Sequence, residues 1–115
     1  MKRKASDATP LTPAVFYILL SLNIKERHGY EIMKQVKDDS KGKVKMGPGT
    51  LYGSIKRMLM DKLILESEER PDPKLDDERR RYYQITTLGR QVLNAELERF
   101  SQALSIARKA KLSYG

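Results

Sequence analysis

The chain is predicted to be a mainly α protein with one small β-hairpin, an α+β class, and three observations predict it. Three short amphipathic segments follow one another between residues 12 and 62. A segment rich in turn residues then doubles back between 63 and 86, and a long segment with two apolar stripes follows it. Helix, helix, helix, hairpin is the order of a winged helix-turn-helix, and helices at both ends are left for dimerisation. The chain then divides into a flexible N-terminal arm over 1–9, a winged helix-turn-helix DNA-binding domain over 10–86, and a C-terminal dimerisation helix and tail over 87–115.

The first helix starts at Thr12-Pro13, because Thr accepts an orphan amide bond and Pro has no amide to lose. Leu11 and Phe16 stand at the positions of a hydrophobic staple. Val15, Ile18, Leu19 and Leu22 recur at helical spacing and mark a core face. Phe16, Tyr17 and Leu20 widen the apolar arc, which calls for cover on a second side, a partner subunit being one candidate. A second helix starts near Gly29, with Ile32, Met33 and Val36 inward. Asp38–Val44 is a charged connection, and a short strand over Lys41–Met46 would put Lys41, Lys43 and Lys45 on one side.

The third helix begins at Pro48 and ends around Lys62, with Leu51, Ile55, Met58 and Leu59 as its buried stripe. Leu63–Arg70 and Arg79–Thr86 form the hairpin around a tip holding Pro71, Asp72, Pro73, Asp76 and Asp77. Thr86 or Thr87 caps the last helix, which is expected to run to about Leu112, about 40 Å. Leu88, Val92, Ala95 and Ile106 lie toward one side of it. Leu93, Leu97, Phe100, Leu104 and Ala107 lie toward another at heptad spacing. One stripe is expected to cover the domain itself and the other, with Phe16 and Leu20, a second copy.

Composition narrows the partner. The 115 residues carry 23 Lys and Arg against 15 Asp and Glu, a net charge of +8. Residues 25–62 alone hold ten basic and five acidic side chains. Such a balance favours a polyanion, nucleic acid first and an acidic membrane surface second. The absence of Cys removes disulfides, thiolate zinc sites and cysteine nucleophiles, and suits a cytoplasmic protein. Lys2-Arg3-Lys4 and the apolar run Ala14–Leu22 imitate a signal peptide, but no small-residue cleavage site follows and the run is too short to span a bilayer. No membrane association is expected.

On the third helix Thr50, Gly53, Ser54 and Arg57 share the polar face, with Lys56 beside them. Small residues let a backbone approach a DNA groove while the cations reach phosphates or guanine edges. Gly53 inside an exposed helix costs about 1 kcal/mol relative to Ala, so something is expected to come close, either DNA or a packed protein element. Tyr52 borders both faces and is either purely structural or partly DNA-facing, with its ring over the core and its hydroxyl toward phosphate. Tyr30 has the same double reading, on a helix that crosses the DNA backbone in helix-turn-helix geometry.

Pro48, Gly49 and Lys45 at the helix entrance complete this set, and Lys74, Arg79, Arg80 and Arg81 supply the wing. Asp76, Asp77 and Glu78 are the neighbours that would instead neutralise those arginines in solvent. Strand alternation puts Arg81, Tyr83 and Ile85 on the face that turns inward near the core. His28, the single histidine, is expected to start a helix and not to bind metal. Gly47-Pro48-Gly49 lacks the Lys-Ser/Thr of a phosphate loop. No nucleophile with a base, spaced carboxylate pair or ligand cluster is present, so no enzyme, metal or cofactor is expected.

His28-Gly29-Tyr30-Glu31-Ile32, Gly47-Pro48-Gly49-Thr50-Leu51-Tyr52, Arg79–Thr86 and Leu88-Gly89, in that order and spacing, resemble the PadR family of bacterial transcriptional regulators. The resemblance covers residues 11–90. It implies a homodimeric winged helix, usually a repressor, whose N- and C-terminal helices form the interface. It further implies an inverted-repeat operator in double-stranded DNA and, in many members, a small-molecule effector, here at the dimer interface, that loosens binding. With one long helix after the wing, the chain resembles the compact class of the family. It departs from compact relatives that hold flat aromatic drugs with a tryptophan of the final helix, because it has no Trp.

The expected function is therefore a sequence-specific, homodimeric DNA-binding repressor. The alternative is a winged-helix protein-interaction module whose basic surface meets an acidic partner. Arg80→Ala is expected to weaken binding to every duplex and flatten its salt dependence with the fold intact, as fluorescence anisotropy would read; an unchanged salt slope counts against the wing assignment.

Overall fold

The computed structural model describes residues 4–67 and 81–111. Helices α1 (Pro13–Ile24), α2 (Gly29–Asp39), α3 (Pro48–Met60) and α4 (Thr87–Lys109) pack around strands β1 (Arg27–His28), β2 (Ile64–Glu66) and β3 (Tyr82–Ile85). The order is that of a winged helix. Thr12 caps α1 by accepting the Val15 amide at 3.2 Å, with Pro13 at the first helical position. His28 starts α2: its Nδ1 accepts the Glu31 amide at 3.2 Å while Nε2 lies 3.1 Å from Glu31 Oε1. A neutral ring with its proton on Nε2 satisfies both contacts.

The sheet has order β1-β3-β2, antiparallel throughout. The hairpin is legible in the sequence, but β1 is not. It consists of two residues, Arg27 opposite Tyr83 and His28 opposite Tyr82, too few to show alternation. Pairing with β3 ties the hairpin to the turn between α1 and α2. The core gathers Ile18, Leu19 and Leu22 of α1, Ile32 and Val36 of α2, and Leu51, Ile55 and Met58 of α3 against Ile64, Tyr83, Ile85, Val92 and Leu93. Val15 and Leu59, expected inside, are half-buried at its margin.

No strand forms over Lys41–Met46, because α2 ends in a tight turn there. The Lys41 amide donates to Asp38 O at 3.1 Å and the Gly42 amide to Lys37 O at 2.7 Å, with Lys41 left-handed at φ 52°. The buried Ser40 hydroxyl then accepts the Val44 amide at 2.9 Å and pins the loop. The same pattern closes α3, where Lys62 stands at φ 61° and the Leu63 amide donates to Met58 O at 3.0 Å. Glycine normally takes this position. A lysine there costs on the order of 1 kcal/mol of backbone strain, partly offset by its charge at the helix C-terminus.

At the start of α4, the Thr86 amide donates to Leu63 O at 3.1 Å and its hydroxyl lies 2.7 Å from Lys62 O and 3.0 Å from Leu63 O. The same hydroxyl accepts the Gly89 amide at 2.9 Å. Gly89 passes so close that a Cβ there would sit 2.1 Å from Leu63 O and 2.8 Å from Ile85 Cγ1.

Three further expectations are corrected. The arm is not loose from Lys4 onward: Ala5–Ala8 forms a 3-10 turn whose alanines pack on the core, and the Leu11 amide donates to the buried carboxylate of Glu96, which also binds Arg99. Leu93 belongs to the chain's own core at 2% exposure and is not available to a second copy. Finally α4 ends at Lys109, so it is about 34 Å long, shorter than expected. Leu112 lies outside the described residues, among which no helix is long and apolar enough to cross a membrane.

Gly→Ala inside an exposed helix normally stabilises, but at Gly89 the added methyl meets fixed backbone. Gly89→Ala is expected to destabilise by about 2 kcal/mol, read as a fall in the urea midpoint without a change in slope.

Candidate nucleic-acid interface

Helix α3 is held by its buried stripe of Leu51, Ile55 and Met58, and this fixes what its other side presents. Thr50, Gly53, Lys56 and Arg57 are exposed and Ser54 is half-buried. Pro48 and Gly49 stand exposed in its first turn, which Gly47 enters without a side-chain cap. A Cβ added at Gly53 would meet nothing within 4 Å. Packing within the chain therefore does not require this glycine. The backbone there is open to an approaching surface, beside two cations and two small hydroxyls.

Tyr52 is 49% exposed, and its phenol lies across the first residue of α2. A Cβ on Gly29 would fall 2.4 Å from Tyr52 Oη and 2.9 Å from Cζ. The ring is thus supported by the protein while its outer side faces solvent, which joins the two readings of Tyr52. Sequence reasoning missed this contact. Behind it, burial pushes the Tyr83 phenol above its usual 10.0, with the negative charge of Glu66 and the neighbouring Tyr52 adding to the rise and Arg81 opposing it. Tyr83 stays neutral as a wedge under the hairpin.

Tyr30 and Lys45 come together across a groove of about 500 Å³, whose walls also include Met33, Lys34, Lys37 and Asp38. Lys34 and Lys37 escaped the sequence reading, although they follow Tyr30 at i+4 and i+7 on α2. On the hairpin, Tyr83 and Ile85 face the core as alternation predicts, while Tyr82 covers His28 edge-on at 5.3 Å. Arg81 is exposed and lies 3.3 Å from Glu66 on β2, so its charge is partly matched within the sheet. Lys74, Arg79 and Arg80, and the acidic Asp76, Asp77 and Glu78, lie outside the described residues.

The apolar candidates form a separate surface. Phe16 meets Phe100 edge-on at 5.1 Å, which brings α1 against α4. Leu97, Phe100 and Leu104 are 39%, 44% and 42% exposed, while Leu20 and Ala107 are half-buried. Beyond Glu96, no described residue of α4 is buried. Among the described residues no group of three or more His, Cys, Asp or Glu is placed to hold a metal ion.

A model of the transcriptional regulator PadR-like family matches residues 18–95. A PadR family transcription regulator from hypervirulent Clostridium difficile is similar at 25% identity and TM-score 0.69, covering 85% of this chain and 97% of that one. A transcriptional regulator from Clostridium thermocellum shares the fold at 23% identity and TM-score 0.66, over 84% of this chain and 87% of that one. RosR of H. salinarum shares it at 22% identity and TM-score 0.65, over 91% and 98%. No curated protein matches the chain.

The contact between Gly29 and Tyr52 gives a test of the reading surface. In Gly29→Ala the phenol, being the free end of a side chain, is expected to swing aside with a stability change below about 1 kcal/mol. Duplex affinity is expected to fall by about 1 kcal/mol, roughly fivefold, when measured by anisotropy. Unchanged affinity would remove Tyr52 from the interface.

Proposed function

The chain belongs to the PadR-like family of transcriptional regulators, and from that premise we propose that it is a homodimeric repressor that binds an inverted-repeat operator in double-stranded DNA. The observation that carries this reading is the exposed face of α3. Thr50, Ser54, Lys56 and Arg57 surround a glycine that borders open space, on a helix locked to the core by three buried residues. Such a face suits entry into a major groove, with hydroxyls and cations toward base edges and phosphates. Tyr30, Lys45, Pro48, Gly49 and Tyr52 adjoin it, and Arg81 with Arg79, Arg80 and Lys74 is assigned to flanking DNA through the wing.

The dimer is supported by the far half of α4. Leu97, Phe100 and Leu104 leave apolar surface in water at spacings of three and four residues, and Phe16 and Leu20 extend it on α1. A second copy laid on that seam would cover it and set two α3 helices side by side. A small-molecule effector seated between the copies near Phe16 and Phe100 would act by altering the separation of those helices. The charge pattern and the absence of Cys fit a cytoplasmic regulator without cofactor.

Duplexes selected from a random pool are expected to converge on a palindrome whose half-site centres stand about 34 Å apart. Leu97→Asp is expected to sediment as a monomer and to lose preference for the full palindrome over a half-site. A non-palindromic consensus, or a Leu97→Asp dimer, counts against the two-fold reading. Failure to bind any duplex at low salt sinks the DNA reading itself.

A further inference from the structure

The surface beside α3 carries more cation than a reading helix requires. Tyr30, Lys34 and Lys37 fall at i, i+4 and i+7 on α2, and Lys41 continues the stripe past the helix end. Lys34 and Lys37 face Lys45 across the groove of about 500 Å³, whose lining reaches Met46, the residue before Gly47 at the entrance of α3. All four lysines are exposed. Among the described residues none of them has a carboxylate within 4.0 Å.

Of the neighbouring acids, Glu31 lies against His28, and one oxygen of Asp39 accepts from Gln35 at 2.8 Å while its other oxygen is buried without a hydrogen-bond partner among the described residues. Asp38 is left on the groove wall. Some other cations are paired, Arg81 with Glu66, Arg99 with Glu96, and Arg27 through its bond to Ser21 O at 3.0 Å, whereas Arg57 on α3 has no carboxylate within 4.0 Å among the described residues. Among the described residues the chain ties down these guanidinium groups and leaves these ammonium groups free. Free, hydrated point charges on long stems suit phosphate oxygens of any sequence.

Two further features favour a duplex backbone as the occupant. The stripe from Tyr30 to Lys41 is about 16 Å long, roughly the axial length of four to five phosphates on one strand. The groove it lines also reaches Lys45 and Met46, next to the entrance of α3, so the stripe lies beside the helix assigned to base reading. Lys41 is kept at φ 52° although Gly42 stands next to it, and the loop behind is pinned by Ser40. Lys62 takes the same position at the end of α3, so the strain assigns no task of its own; the rigid turn fixes where Lys41 stands.

We propose that Lys34, Lys37, Lys41 and Lys45 form a sequence-independent phosphate track that grips DNA outside the base pairs read by α3 and carries most of the binding to non-operator duplex. The proposal rests on the DNA-binding reading above. It separates two tasks on one domain: α3 discriminates, while the α2 stripe holds.

The test compares wild type with the double variant Lys34→Gln/Lys37→Gln on the selected operator and on a scrambled duplex of equal length. Affinity is measured by anisotropy across a salt series. The log–log salt slope is expected to become shallower by about 4 per dimer on both duplexes, two lysines being lost from each protomer at about 0.9 for each phosphate no longer neutralised. The ratio of the two affinities is expected to stay within about twofold of wild type, because phosphate contacts carry no sequence information. An unchanged slope, or a loss confined to the operator, overturns the proposal. Wild type that binds neither duplex overturns the DNA reading as well, so the two failures are distinguishable. Lys41→Gly adds a check that misfolding cannot imitate: it is expected to raise the thermal midpoint while making the slope shallower by about 2 per dimer, one lysine from each protomer. An unchanged slope in that variant removes Lys41 from the track.

Discussion

The carbonyl of Leu63 is the point on which the arrangement turns. The Leu63 amide ends α3 by donating to Met58 O, while its carbonyl accepts from the Thr86 amide and lies within reach of the Thr86 hydroxyl. Thr86 in turn receives the Gly89 amide, and Gly89 has no side chain to hold α4 away. The end of α3, the last residue of the hairpin and the first turn of α4 are thus joined within four hydrogen bonds. A buried carbonyl with two lone pairs is expensive to leave unmet, so this junction resists rearrangement. The roll of α3 and the direction of α4 are set by the same atoms.

That junction gives meaning to the distribution of charge. Positive charge at the surface does not by itself name a partner, since solvated lysines are common. Here the guanidinium groups of Arg27, Arg81 and Arg99 have partners within the fold, whereas the ammonium groups around α2 and the entrance of α3 have none among the described residues. The unpaired charge stands beside a helix whose outward residues are small. A face that is both cationic and able to come close fits a groove better than it fits a flat protein surface, where larger side chains supply the contact area.

Much of this was legible in the sequence because it depends on local rules. Thr12-Pro13, His28-Gly29 and Thr86 mark helix starts through capping chemistry, and the stripe Leu51, Ile55 and Met58 fixes which side of α3 is free. The proposed reading face followed from that stripe. What escaped depends on contacts distant in the chain. Strand β1 has two residues and exists only because β3 offers it partners. Gly29 is needed because Tyr52, on another helix, rests on it. Leu93 fits a heptad with Leu97 and Phe100, yet burial against α1 and the core takes it inward, and spacing cannot tell the two destinations apart. The lysines of α2 were visible singly, but their convergence on Lys45 needed the turn at Lys41 and Gly42.

Glu96 explains why the apolar surface for a second copy stands where it does. A carboxylate at 1% exposure is tolerable only with donors, and it has the Leu11 amide and the Arg99 guanidinium. The first of these bonds ties the segment before α1 to the middle of α4. Thr12 caps α1 one residue later, so the clamp also sets where α1 begins, and Phe16 arrives one turn on against Phe100. Glu96 is also the last buried residue of α4. It therefore divides the helix into a half that belongs to the domain and a half that does not. In the proposed dimer the seam would be built by α1 and the outer half of α4 together, at an angle fixed by this clamp. The separation of the two reading helices would then depend on the buried carboxylate of Glu96, through α4 and the Leu63–Thr86 junction.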